Sequence, residues 1–546
     1  MKLYFMNTER LGIKNRSLEL KIIACCFLIV ANTYVYAQKK TKVSISIPAN
    51  PVQIDTMIYG QMLENVNDSV IYRGVVSEDG TVRTNLIPIL KDLDIPVMRW
   101  PGGTVIHEYH WREGIGPKHL RPVVETHAWK GKETYQFGTD EFLKWCKEVG
   151  TTPYINFNMA NNVEFGGTLG EAMNWIEYVN GSPDTTNFGK LRAAYGHTDP
   201  YNVLYWGIGN ENYGPWGKHT AETAFGYSER LKLWAVTINE RFPRLKLLGI
   251  GHTAEWNKIV LEKAGTEIDY LTQHYYVASK FKDDKAEDPY SALFSPVKME
   301  KHLGLLGDHL NYYNKHNRRG KSPVLLSIDE WNNRHSVYDG KAYKFSRQDP
   351  RRLLDVAVAA GMLNAFIRNA DIVGMANYIF PVNGHGLIRT NGDNDAFKTP
   401  LYYLFQKYRE VMVGHRLNVT IDGPGIAAAS VNPSIEGDCK EVVWGNELLP
   451  FIDAAASRTS GSIVNVALVN RSYDQSQLVT VTVPEGYTLN NRWELSGKNI
   501  NEYNSLENRN TIVPGIIKAN KREKGTLNIM MDPCAVVILS FAANTK

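Results

Sequence analysis

The chain of 546 residues predicts an α/β fold: a (β/α)8 barrel with a C-terminal antiparallel β-sandwich that also takes the N-terminal strand. Three observations predict it. Eight short apolar runs alternate with helical stretches between residues 57 and 410. Polar and charged residues collect at the ends of those runs, where a barrel of this class carries its site. After residue 410 the texture changes to short alternating runs separated by Pro, Gly and Asn, the pattern of an antiparallel sandwich.

Taken in order, VSISI (43–47) alternates apolar and polar residues and reads as a half-buried strand that joins the distant sandwich. The barrel runs are MIYGQML (57–63), IPVMRW (95–100), TPYINFNM (152–159), VLYWGIG (203–209), LKLLGIG (245–251), IDYLTQHYY (268–276), PVLLSIDEW (323–331) and DIVGMANYIF (371–380). Helices fit between them. Thr139-Asp140 opens FLKWCKEVG, with Gly150 as its stop. Leu231, Trp234, Ala235 and Ile238 fall at helical spacing within 220–242. Residues 349–369 read as a helix with Pro350 in its first turn. The segment 277–299 reads as a long loop. SIVNVALVN (462–470), QLVTVTVP (477–484), TLNIMM (526–531) and CAVVILSF (534–541) are the sandwich strands.

The N-terminus has the features of a cleaved export signal. Lys14, Arg16 and Lys21 precede the apolar run Ile22–Ala31, and Val35-Tyr36-Ala37 supplies a small-residue cleavage site before Gln38. The run is short for a membrane span. The expected organisation is therefore 1–37 signal peptide, 38–56 N-terminal strand, 57–410 barrel and 411–546 sandwich, in a periplasmic or secreted protein with no membrane attachment after cleavage. Three cysteines remain beyond the signal, Cys146, Cys439 and Cys534, too few for a disulfide framework; Cys439 and Cys534 share the C-terminal region and could pair, but buried thiols are the preferred reading. The net charge is +4; five Lys/Arg and two Glu lie in residues 1–37, so the remainder carries 4 − (5 − 2) = +1. That balance excludes a nucleic-acid partner.

The chemistry centres on NVLYWGIGNENYGPWG (202–217) and PVLLSIDEWN (323–332). Each is a buried strand ending in a glutamate, Glu211 and Glu330. Three strands apart on an eight-stranded barrel, the two carboxylates face each other across the mouth. Two facing carboxyl groups are what glycoside hydrolysis requires. Glu330 is expected to attack as nucleophile and Glu211 to serve as acid and then base. Asp329 is the rival to Glu330. Neighbours on a strand face opposite sides, so one of the two points to the site, and Glu330 is chosen.

Arg99 ends the second run and could hold the nucleophile, or it could be a structural ion pair. Asn210 could bind a sugar hydroxyl, or form the turn. His274 and Tyr276 face one side of a strand. Glu64, Asn158 and Asn377 also lie at strand ends. Trp111, Trp129, Trp216 and Trp331 are candidate stacking platforms or core packing. No spaced His/Cys set, P-loop or Gly-x-Ser-x-Gly elbow occurs, so neither metal nor cofactor is expected.

With these residues in view, the chain resembles the α-L-arabinofuranosidases of glycoside hydrolase family 51. The matching stretches are RWPGGTVIHEYHWREGIGP (99–117), QFGTDEFLKWCKEVGTTPYI (136–155), WGIGNENYGPWG (206–217), DYLTQHYY (269–276) and IDEWN (328–332). The resemblance implies a retaining exo-enzyme that releases terminal arabinofuranose from arabinan, arabinoxylan or their oligosaccharides. It implies the acid/base at Glu211, the nucleophile at Glu330, sugar contacts at Glu64 and Asn210, a supporting Arg99, and the His-x-Tyr pair at His274 and Tyr276. Thr104 stands where the family usually has Asn or Cys, so hydroxyl recognition in the glycone pocket is expected to differ. Asn332-Asn333-Arg334-His335, after the nucleophile, lacks the family's aromatic residues. An endoglucanase or β-xylosidase on the same fold, and a catalytically silent carbohydrate-binding protein, are the alternatives. The family often forms hexamers, so the resemblance allows a homo-oligomer, although no stretch of the sequence shows an interface.

Overall fold

The computed structural model describes residues 40–392, 394–459, 463–518 and 525–544. The expected signal segment, 1–37, lies outside the described residues. Among the described residues, no helix is long and apolar enough to cross a membrane.

Eight parallel strands close the barrel in sequence order. They are β1 (Gly60–Met62), β2 (Val97–Trp100), β3 (Thr152–Phe157), β4 (Tyr205–Ile208), β5 (Lys246–Gly249), β6 (Tyr270–Lys282), β7 (Leu325–Tyr338) and β8 (Val373–Tyr378). Closure comes from β8 pairing with β1, Asn377 opposite Gly60. Every expected apolar run forms a barrel strand, and β6 and β7 continue beyond theirs. The runs are buried on both faces, inside against one another and outside against helices, which is why they read as apolar rather than alternating.

The helices follow local signals. Thr139–Val149 ends on Gly150, which takes the left-handed conformation (φ 90°) of a helix stop. Thr168, Thr223 and Thr253 each cap a helix by accepting a backbone N–H from its first turn. The helix expected at 349–369 begins at Leu353, so Pro350 precedes it. Asp355 sets that start by accepting the Arg352 N–H at 2.7 Å. This helix, LLDVAVAAGMLNAFIR, is apolar all round and buried from Leu353 to Ile367. Barrel helices cover one side and the sandwich strands Ile452–Thr459 and Ile463–Asn470 the other.

The sandwich has a four-stranded and a seven-stranded sheet. Thr41–Ser46, alternately buried and exposed, lies in the smaller one between Asn418–Asp422 and Gln477–Thr482. Its pairing with Gln477–Thr482 is parallel, against the expectation of a purely antiparallel sandwich. A strand arriving from the far end of the chain has no hairpin to impose the antiparallel direction. Cys146, Cys439 and Cys534 are all buried; Cys534 is a free thiol, so no disulfide joins it to Cys439.

A second correction concerns 277–299. It is not a loop: β6 runs on to Lys282, Lys285–Ala286 turns back on it, and helices occupy Pro289–Leu293 and Ser295–Asn317. β7 also continues beyond Trp331 to Tyr338, staying in parallel register with β6 through Phe281 opposite Val337. The two strands stand above the barrel as one wall of a cleft. Ile435–Gly437, from the C-terminal region, adds antiparallel to β6 there.

Candidate active site

The mouth of the barrel opens into a cavity of about 710 Å³. Its lining includes Glu64, Thr104, Trp129, Glu211, Tyr276 and Glu330. Glu64 stands two residues past β1, Glu211 three past β4, Tyr276 within β6 and Glu330 within β7. Arg99 and Asn210 lie beneath, fully buried.

One guanidinium organises the floor. Arg99 Nη1 donates to Glu330 Oε1 at 2.8 Å, Nη2 donates to Asn210 Oδ1 at 2.7 Å, and Nε lies 3.3 Å from Asp329 Oδ2. Burial disfavours its charge, but the Asp329 and Glu330 carboxylates outweigh this and raise its pKa. Tyr276 Oη donates to the other oxygen of Glu330. Asn210 Nδ2 is buried without a partner.

The strand-alternation argument about Asp329 fails. Both Asp329 and Glu330 reach Arg99, and both reach His274: Nε2 is 3.2 Å from Asp329 Oδ1, and Nδ1 is 3.5 Å from Glu330 Oε2. The cause is a register slip. β7 loses step with β6 between Thr272 and His274, and with β8 between Ile328 and Trp331. A bulge there lets consecutive side chains enter the same barrel interior. Asp329 lies deeper, also accepting a bond from Tyr154 Oη at 3.1 Å.

His274 connects the carboxylates. Its Nδ1 lies 2.8 Å from Glu211 Oε1, which also accepts from Tyr213 Oη at 3.1 Å. Burial works against a charged His274, but Glu330, Asp329 and Glu211 outweigh it and raise its pKa well above 6.5. Burial alone would raise the Glu211 pKa; the His274 bond and charge reverse that and lower it. The ligand atoms of Glu211, His274 and Glu330 all fall within 4.8 Å of one another. A cation could occupy such a group, yet Arg99, Tyr276 and Tyr213 already supply donors to its oxygens.

Two backbone features permit this crowding. Glu211 sits at φ 43°, a left-handed conformation that costs a non-glycine residue about 1–3 kcal/mol. The Asn212 side chain holds the Asn210 N–H at 3.1 Å, and a His107 ring nitrogen lies 2.7 Å from the Asn210 carbonyl oxygen. In Gly102-Gly103, a Cβ on Gly103 would stand 2.5 Å from Glu330 Oε1, and one on Gly102 would stand 2.3 Å from Glu64 Cγ. The glycines let Glu64 and Glu330 approach over bare backbone. Glu64 accepts from Val105 N–H at 3.0 Å and Trp129 Nε1 at 2.9 Å; burial and then the nearby Glu330 charge raise its pKa.

Other strand-end residues serve the scaffold. Asn158 bonds to the carbonyl of Phe165, and Asn377 to that of Gln61. Trp111 and Trp331 are buried packing residues, whereas Trp129 and Trp216 line the cavity. Not anticipated were Tyr213, His107 and the cavity-lining Arg334, Phe345, Arg347, His385, Glu436 and Lys440. Burial alternates along Val277–Phe281 of the extended wall, but the residue types there do not, so the sequence carried no clear signal for it; nor did it for the contribution of 436–440 from the other end of the chain.

Comparison with known proteins gives a consistent picture. Residues 89–292 match the family described as the α-L-arabinofuranosidase 1 domain, and residues 329–534 its C-terminal domain. A probable α-L-arabinofuranosidase C of Aspergillus niger is 32% identical over 474 residues, 81% of this chain and 87% of its own. An intracellular exo-α-L-arabinofuranosidase of Bacteroides ovatus is 27% identical over 95% of this chain and 99% of its own. The crystal structure of the Thermotoga maritima α-L-arabinofuranosidase arabinose complex superposes with a TM-score of 0.78, at 29% identity, over 92% of this chain and 99% of that one. The Bacteroides relative overturns the expected periplasmic or secreted location: it is named intracellular and aligns over nearly its whole length. A short apolar run after a few basic residues has the composition of an export signal, but hydropathy alone does not determine where a chain resides.

Proposed function

The chain belongs to the α-L-arabinofuranosidases of glycoside hydrolase family 51, and on that premise we propose that it releases terminal arabinofuranose by double displacement at Glu330. The observation that carries the mechanism is the separation of the two glutamates. An oxygen of Glu211 and one of Glu330 lie within 4.8 Å of each other. Retaining enzymes hold their carboxyl groups roughly 5–5.5 Å apart, inverting ones roughly 6.5–9.5 Å. That closeness supports the retaining arrangement, in which the second carboxylate attacks the sugar directly.

In the first step a Glu330 oxygen bonds to the anomeric carbon as the glycosidic bond breaks, and Glu211 gives its proton to the leaving oxygen. In the second, Glu211 takes a proton from water, whose oxygen displaces Glu330. Arg99 and Tyr276 orient the Glu330 carboxylate. The low pKa of Glu211 at rest follows from its pairing with His274. The pair holds one proton on the short Nδ1–Oε1 bond, and moving it onto Glu211 makes the acid without exchange with solvent. The unpartnered Asn210 Nδ2 suits the sugar 2-hydroxyl, and Glu64 and Thr104 suit other glycone hydroxyls. The substrates are arabinofuranosyl ends of arabinan, arabinoxylan and their oligosaccharides.

The test is hydrolysis of an aryl α-L-arabinofuranoside followed by NMR, beside β-D-xyloside and β-D-glucoside controls. We expect the α-anomer of arabinofuranose first, preference for the arabinofuranoside, and a drop of roughly 10⁴- to 10⁶-fold in Glu330→Gln. A first-formed β-anomer would falsify the double displacement.

A further inference from the structure

His385 and Asn332 are two buried polar groups on the cavity wall that the mechanism above does not use. Both line the cavity that holds Glu64 and Glu330. His385 is 2% exposed, and neither of its ring nitrogens has a hydrogen-bond partner. Asn332 is 1% exposed; its Nδ2 donates to the Ile379 carbonyl at 2.9 Å, and its Oδ1 has no partner. Buried polar groups without partners destabilise a fold and are rare unless a ligand completes them.

The surroundings fix the chemistry of that ligand. His385 sits in the turn after β8, which is pinned from several sides. Tyr378 Oη donates to the His385 carbonyl at 2.9 Å, and the Asn383 side chain donates to the Ser69 carbonyl at 2.7 Å. Gly384 stands at φ 53° with its open face against the Phe380 ring. The backbone that carries the imidazole is thus held in place before anything binds. Burial, then the charges of Arg351, His335, Arg347 and Arg334, lower its pKa well below 6.5. A neutral imidazole offers one donor and one acceptor, and Asn332 adds an acceptor. Donor and acceptor together match a hydroxyl, which both gives and receives a hydrogen bond, and not a carboxylate.

Position assigns the hydroxyl to one side of the scissile bond. β8 lies opposite β4, the strand that leads to Glu211. The leaving oxygen must meet Glu211, so the wall carrying His385 and Asn332 faces the other side. Asn332 stands two residues beyond Glu330 and therefore on the same face of β7. We propose that the His385 ring and Asn332 Oδ1 together bind one hydroxyl of the glycone and set the enzyme's preference for a sugar that carries it.

This assignment rests on the glycosidase reading, and the experiment separates the two. Wild type, His385→Leu and His385→Gln are assayed on an aryl α-L-arabinofuranoside and its 2-, 3- and 5-deoxy analogues. His385→Leu should lower kcat/KM on the parent sugar roughly 10- to 100-fold. It should cost little further on one deoxy analogue, because the lost hydroxyl and the lost imidazole are the same contact. The Gln variant, which restores a donor and an acceptor, should recover part of the loss. Since His385 makes no internal side-chain hydrogen bond, the Leu variant should melt at or above the wild-type temperature. Wild-type turnover with His385→Leu within twofold on the parent sugar, or with equal losses on all three analogues, would overturn the assignment alone. A wild type inactive on the parent sugar would overturn the arabinofuranosidase reading and this one with it.

Discussion

At the scale of single residues, the site is an exercise in sharing few protons among many carboxylates. Glu64, Glu211, Asp329 and Glu330 are balanced by Arg99, Arg334 and a charged His274. Glu211→Ala should slow poor leaving groups by roughly 10²- to 10⁴-fold and activated aryl leaving groups far less, since the latter need little protonation. Equal losses on both would contradict the acid role. His274→Gln tests the shared proton through the pH profile of kcat/KM. In the wild type the pair loses its proton only as pH rises through the raised His274 pKa, well above 6.5. Without the imidazole, the proton resides on Glu211 alone and leaves at lower pH, so the basic limb should move toward acid. An unmoved basic limb would show that His274 does not hold the catalytic proton. Glu211 and Glu330 were readable from sequence because each ends an apolar run. The entry of Asp329 into the same interior was not, because it depends on a bulge between strands distant in the chain.

At the scale of elements, the turn after β2 matters as much as the strands that bear the glutamates. Gly103→Ala places a methyl group 2.5 Å from Glu330 Oε1, closer than two such atoms can stand. The carboxylate must move, and a displacement on the order of 1 Å in a reacting group costs roughly 10²-fold in rate. Activity should fall by about that factor while circular dichroism and cooperative melting persist; unchanged activity would mean that Glu330 relaxes without consequence. β6 and β7 show where reading by hydropathy stops. Inside the barrel both faces are buried and the runs are apolar. Above the rim the same strands alternate, and their polar residues mimic a loop.

At the scale of the molecule, the apolar helix Leu353–Arg368 joins barrel to sandwich. Asp453, on the sandwich strand Ile452–Thr459, takes ion pairs from Arg368 at 3.0 Å and Arg471 at 2.6 Å, and a bond from Asn364 Nδ2 at 2.8 Å. Asp453→Ala removes the carboxylate partner of the buried Arg471 and one of the two held by Arg368, which keeps Glu300, and should cost roughly 3–5 kcal/mol in denaturant unfolding. Burial opposes the Asp453 charge, but Arg368 and Arg471 prevail and hold its pKa below 3.8. Its contribution is therefore present above the unfolded-state pKa and is lost as pH falls through the lower folded value. Wild type should lose stability below about pH 4, and Asp453→Ala should lose less over that range. Identical acid sensitivity in the two proteins would remove Asp453 from the account.

Local chemistry determined much of this protein. Eight apolar runs, their helix caps, the two terminal glutamates and the alternation of Val43-Ser44-Ile45-Ser46 are properties of neighbouring residues, and neighbouring residues are what a sequence displays. Tertiary structure alone decided which side chains meet. It brought Arg99 to Glu330 and Asp329, His274 to Glu211, and residues 436–440 to the cavity rim. It also left Asn332 Oδ1 and the His385 ring nitrogens unpartnered on one wall. Those meetings are set by strand order, register and a bulge, and a one-residue slip in register, which no local pattern records, would aim the same side chains elsewhere.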